Sequence, residues 1–171
     1  MNMTHTLLDQ AMVKHQAGDL KDAEKLYRQA LKQTLPEADA LRCTLHLGSL
    51  LEQAGKAKQA IGIYNAALRS QPNSVELLNA LGILQAQTGK ADHAVQCFQK
   101  ALSLAPGDAG NAFNLARIYA QQNKLAEAEH YYRQAIQWQP NMVLAYNNLG
   151  NILAQQGKQM DALACYQKAI S

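Results

Sequence analysis

Three Gly-Lys pairs, Gly55-Lys56, Gly89-Lys90 and Gly157-Lys158, end the way a phosphate-binding loop ends, where backbone N–H groups and a lysine amine cradle a nucleotide. Each lacks the earlier glycine, the following Ser or Thr and a preceding strand, so the pairs do not carry that chemistry. Five histidines raise the question of a metal. His5, His15, His46, His93 and His130 never fall three or four residues apart, the helical spacing that brings two imidazoles to one ion, and they read as surface or groove side chains. Cys43, Cys97 and Cys165 are too far apart for a C-x-x-C redox or zinc motif and read as free, partly buried thiols of a reducing compartment. No G-x-S-x-G elbow is present and no cysteine stands beside a base. The sequence therefore predicts no catalytic residue, no metal ligand and no cofactor.

The elements that carry these residues explain most of them. Asp22, Asp92, Glu127 and Asp161 fall where helices should begin, and negative charge is stabilised at that end of the helix dipole. Gly18, Gly55, Gly89, Asn123 and Gly157 fall where helices should end, in types that enter the left-handed region at low cost. The composition agrees. Of 171 residues 48% are hydrophobic, while Phe (2), Trp (1) and Pro (4) are scarce, which favours helices over sheets. The formal charge is only +3 and the 16 Lys and Arg are spread from Lys14 to Lys168, so no nucleic-acid partner is expected. The first residues hold one Leu7-Leu8 pair where a secretory signal needs about 7–15 apolar residues, and nothing approaches the roughly 18 of a membrane span. A cytoplasmic protein without a membrane partner is expected.

One period organises the chain. Tyr64, Phe98, Tyr132 and Tyr166 follow one another at intervals of 34 residues, and such a period signals stacked supersecondary units. Each aromatic is flanked by alanines, at Ala60 and Ala67, Ala94 and Ala101, Ala128 and Ala135, Ala162 and Ala169, and an earlier copy holds Ala23, Tyr27 and Ala30. Upstream stand Leu47-Gly48, Leu81-Gly82, Leu115-Ala116 and Leu149-Gly150, and Pro72, Pro106 and Pro140 close three copies. Two helices per copy follow, the first near residues 45–54, 78–88, 112–122 and 146–156. Small residues such as Gly82 and Ala94 let helix backbones approach, and the aromatic fills the space toward the next hairpin.

These residues resemble the tetratricopeptide-repeat (TPR) family over nearly the whole chain. The family frame divides it into copies 4–40, 41–74, 75–108, 109–142 and a short fifth at 143–171. The first copy carries extra residues around Pro36, Gln10 replaces a leucine, Leu35 stands where proline is expected, and only Tyr146 supplies the early aromatic that the family often shows. The resemblance implies one all-α domain, a right-handed superhelical solenoid of five helix-turn-helix repeats, the last uncapped. It also implies a protein-interaction scaffold whose first helices line a concave groove for a peptide or partner protein.

The groove positions implied by that frame are rich in amides. They give Asn79, Phe113, Asn114, Arg117, Asn147, Asn148 and Asn151, together with Gln87, Gln121 and Gln155 from a glutamine row that begins at Gln16 and Gln53. An amide both donates and accepts, so a row of Asn can pair with the main chain of an extended peptide whatever its side chains. Helices pack about 8–10 Å apart and an extended chain advances about 3.3 Å per residue, so one Asn per repeat meets about every third peptide residue. The row resembles the asparagine ladder in the TPR arm of O-linked N-acetylglucosamine transferases at Asn114 and Asn148, with His46 and Ala80 departing from it. A carboxylate clamp for chaperone tails is not expected, since Leu8, Met12, Glu76 and Ala80 occupy places that would need Lys, Asn or Arg.

Repeat arrays finish on a polar capping helix. This sequence stops at Ser171 within the fifth copy, which leaves the helices of Tyr146 and Leu149 and of Cys165 and Tyr166 as an expected apolar interface. Three alternatives follow: a free-standing binding module, the substrate-recruiting N-terminal arm of a larger glycosyl- or sulfotransferase, and a homo-oligomerisation module using the uncapped end.

Overall fold

The computed structural model describes residues 6–170. His5 and the outermost residues of the first and fifth copies lie outside them. Ten helices make up the regular structure of the described residues: α1 (Leu7–Gln16), α2 (Leu20–Ala30), α3 (Glu37–Gln53), α4 (Ala57–Ser70), α5 (Val75–Gln87), α6 (Ala91–Leu104), α7 (Ala109–Gln121), α8 (Leu125–Trp138), α9 (Val143–Gln155) and α10 (Gln159–Ile170). None is long and apolar enough to cross a membrane. The described residues divide between Leu84 and Gln85 into two compact units.

The hairpins form as the sequence predicts, but their first helices start earlier than the apolar spacing suggests. The α3, α5, α7 and α9 helices begin at Glu37, Val75, Ala109 and Val143 rather than near 45, 78, 112 and 146. Side-chain caps fix two of those starts, at α5 and α7, and a proline precedes a third, at α3. The Asp108 carboxylate accepts from Asn111 N at 2.9 Å, Ser74 Oγ accepts from Leu77 N at 3.3 Å, and Pro36 holds an extended conformation ahead of α3. At the other end Asn123 takes φ 57° and Gly157 φ 79°, the left-handed turn on which the second helix reverses.

In the N-terminal unit Leu8, Ala11, Ala23, Tyr27, Leu47, Leu51, Ala60 and Tyr64 form the buried seam of the α1–α2 and α3–α4 hairpins. Cys43 is buried against α2, donating its thiol to the Tyr27 carbonyl at 3.4 Å, and burial pushes its pKa up to about 11, so it is an inert thiol. In the C-terminal unit Phe98, Leu115, Tyr132, Ala135, Leu149 and Leu153 belong to one core that runs from α6 to α10. On the helix expected to be partly uncovered, Leu149 is only 2% exposed and belongs to this core. Tyr166 and Cys165 are half-buried, and Met160, Leu163 and Ile170 are the large apolar residues that α10 exposes.

The Gly-Lys pairs are helix reversals. Lys56 and Lys158 stand at the starts of α4 and α10, and their amines reach back one hairpin to Glu24 and Glu129, each at 2.8 Å. Each carboxylate also holds an arginine on its own helix, Arg28 at 2.9 Å and Arg133 at 3.0 Å. The Lys158 hydrogen bond, ahead of burial, sets the Glu129 pKa below its ordinary 4.5, and Lys56 does the same for Glu24. A carboxylate held low in the folded state contributes stability above its unfolded pKa and loses it as pH falls through the folded one. Glu129→Gln should therefore cost about 0.2–1 kcal/mol at pH 7. The difference from the parent in urea melts should shrink progressively below pH 4.5. A difference that stays undiminished as the pH is lowered through the acid range would refute the ion-pair origin.

Candidate functional site

The side chains expected to line a groove are best assembled in the C-terminal unit. Phe113, Arg117 and Gln121 follow at intervals of four on α7, and Asn147, Asn151 and Gln155 repeat the pattern on α9, so each set shares one helix face. Asn114 and Asn148 lie one residue along. Arg117, Gln121, Asn151 and Gln155 are exposed, whereas Phe113, Asn114, Asn147 and Asn148 are half-buried.

Tyr132 on α8 ties the two helices together. Its ring meets Phe113 edge-on at 5.8 Å, the Asn148 side chain adjoins its hydroxyl as a polar neighbour, and the Arg117 guanidinium sits 6.0 Å from the Phe113 ring centre. Burial raises the Tyr132 pKa, with Asn148 and Arg117 pulling the other way, so the phenol stays protonated at physiological pH. On the same side Asn151 Oδ1 accepts from Tyr166 Oη at 2.8 Å. Asn151 thus carries a bond within the molecule, and Asn148 has the Tyr132 hydroxyl as its neighbour. Each primary amide has more than one bonding direction, so the NH2 of Asn151 keeps donors for a ligand.

The glutamine row has a further regularity. Gln16, Gln53, Gln87, Gln121 and Gln155 are the last residues of α1, α3, α5, α7 and α9, and all five are exposed. Their periodicity therefore marks where each first helix ends. Asn79 belongs to the N-terminal unit, half-buried, with its Oδ1 buried and without a hydrogen-bond partner.

Two features escaped sequence reasoning. Tyr132 and Tyr166 read as space-filling aromatics, yet their hydroxyls organise the Asn side chains; the signal was a hydroxyl that Phe98, in the same register, does not carry. His15 and His46 showed no helical pairing, yet their rings stand 6.5 Å apart across α1 and α3. Among the described residues no group of three His, Cys, Asp or Glu is placed to hold a metal ion.

Comparison with known proteins follows from this geometry. The tetratricopeptide-repeat family model matches residues 8–75, 45–109 and 113–171. No curated protein matches. Among solved structures, a MamA protein superposes with a TM-score of 0.84 at 23% identity, over 96% of this chain and 88% of that one. A second MamA structure gives 0.83 at 23% identity over 99% and 94%. MamA from residue 41 onward of Desulfovibrio magneticus RS-1 gives 0.84 at 15% identity over 96% and 91%. At these identities the likeness is one of fold. The comparisons lend no support to the resemblance to transferase arms.

Proposed function

The chain belongs to the tetratricopeptide-repeat family, and from that premise we propose that it is a protein-interaction module that holds an extended peptide on the α7–α9 face of its C-terminal unit. The observation that carries the reading is the joined set Phe113, Arg117, Tyr132 and Asn148, which fixes one aromatic platform, one cation and an amide in a common place. Asn114, Asn147 and Asn151 extend the amides along that face. They would pair with main-chain N–H and C=O groups, while Phe113 and Arg117 would supply the contacts that depend on peptide side chains. Nothing in this reading requires bond making or breaking, so the module acts by holding its partner.

Asn148 and Asn151 have intramolecular duties, so the pair of substitutions that separates binding from folding is Asn114→Ala with Arg117→Ala. Peptides of about twelve residues, which at about 3.3 Å each are long enough to cross both helices, are selected on the parent and titrated against the double variant. Binding should weaken about tenfold or more with an unchanged melting temperature. Equal affinity of parent and variant would remove the α7–α9 face as the site.

A further inference from the structure

The N-terminal unit contains a cavity of about 380 Å³ lined by Met12, His15, Gln16, Tyr27, His46 and Gln53. Tyr27 forms its floor. The His46 ring stacks on Tyr27 at 6.0 Å with 10° between planes, and His15 meets Tyr27 edge-on at 6.0 Å and His46 edge-on at 6.5 Å. His15 spends Nδ1 on the Tyr27 hydroxyl at 3.3 Å. With the phenol donating, the neutral imidazole carries its proton on Nε2, its other hydrogen-bonding atom. Arg42 lies close by, one guanidinium nitrogen 3.5 Å from Met12 Sδ, and its charge acts on His46.

No carboxylate lines this space. The acidic groups of the surrounding helices lie or are engaged elsewhere: Asp9 with Thr6, Asp19 and Asp22 with Lys14, Glu24 with Lys56 and Arg28, Asp39 with Arg42, and Glu52 with the Tyr64 hydroxyl, while Glu37 is exposed at the start of α3 beside Ser70 and Ser74. The cavity therefore gathers two imidazoles and the amides of Gln16 and Gln53, with no carboxylate among its lining residues, while the Arg42 guanidinium nearby is shared with Asp39. We propose that it is a docking pocket for an acidic side chain of a partner polypeptide, with the carboxylate held between His15 and His46. The complementarity between an anionic side chain and two protonatable imidazoles, which converge on a space that no carboxylate lines, carries this inference, which is independent of the peptide face on α7 and α9.

The groups that act on the pair are His15 from α1, Tyr27 from α2, and Arg42 beside His46 on α3. Burial first, then His15 and Arg42, lowers the His46 pKa. A bound carboxylate reverses that balance and stabilises the imidazolium form, so binding takes up protons and tightens as pH falls through the histidine range.

The test titrates a capped hexaglutamate peptide into the whole chain at pH 6 and pH 8, following the imidazole resonances of His15 and His46. Hexaglutamine and acetate serve as controls. Hexaglutamate should bind about tenfold more tightly at pH 6, move both imidazoles, and lose the pH gain in His15→Gln and in His46→Phe, a change that keeps an aromatic ring on Tyr27. Far-UV circular dichroism of each variant checks its fold, and the parent titration stands alone if one fails it. Unmoved imidazoles in the parent overturn the proposal, as does a pH gain that survives in the variants. Acetate binding as tightly as hexaglutamate would also overturn it, since the cavity would then take any small carboxylate rather than dock a polypeptide.

Discussion

Tyr132→Ala should lower the unfolding free energy by about 3–5 kcal/mol, read as a fall in the urea midpoint of the C-terminal transition. The ring is only 2% exposed and packs against Phe113, and its removal leaves a cavity between hairpins that α7 and α9 can close only by moving together. The Asn148 amide would lose its partner at the same time, which adds the cost of an unpaired, half-buried polar group. Tyr132→Phe isolates that second contribution. It keeps the ring and should cost about 1 kcal/mol, while leaving Asn148 free to meet a ligand. A Tyr132→Ala loss no larger than that of Tyr132→Phe would mean that the ring does not hold the two helices.

Gly48→Ala should cost about 1–3 kcal/mol, although alanine is the better helix former by about 1 kcal/mol. A Cβ at Gly48 would lie 2.2 Å from Cζ of Tyr64, a side chain 2% exposed whose hydroxyl donates to Glu52 at 2.9 Å, so the ring has little room to yield. Gly150 meets Tyr166 in the same way, at 2.5 Å. The fourth repeat has Ala116 at the matching position, whereas the second and fifth keep glycine and their tyrosines bond to Glu52 and Asn151 of their own hairpins. Gly62→Ala is the control, because nothing lies within 4 Å of its added carbon, and it should gain up to about 1 kcal/mol. If Gly48→Ala and Gly62→Ala shift the urea midpoint alike, the close approach of α3 and α4 does not limit this hairpin.

The repeat made the fold legible because spacing alone identifies the residues that must be small, aromatic or left-handed. Ala94, Phe98 and Ala101 are buried, and Asn123 turns with positive φ, as their register requires. Helix starts were less legible, since Asp108 and Pro36 act through caps that apolar periodicity does not register. Register also hides chemistry that differs between copies. Asn111 is 1% exposed with its Nδ2 unpartnered, in the register where Cys43, Leu77 and Ala145 are buried, and no pattern in the repeat foretells a buried amide there.

The candidate site was legible as a set of positions and not as an arrangement. The frame places Asn114, Arg117, Asn148 and Asn151 on first helices, but whether an amide is free depends on where a tyrosine hydroxyl points, as at Asn151. The His15–His46 pair shows the same limit. Contacts across adjacent hairpins have no signature in local spacing, though both histidines occupy groove positions of neighbouring copies.

Side-chain magnetic resonance of the labelled chain with a selected peptide tests the α7–α9 face most directly. Shifts concentrated at the Asn114 and Asn151 amides and the Arg117 guanidinium are the predicted result. Shifts confined to side chains such as Gln137 on α8 and Gln167 on α10, with those three unmoved, would contradict it.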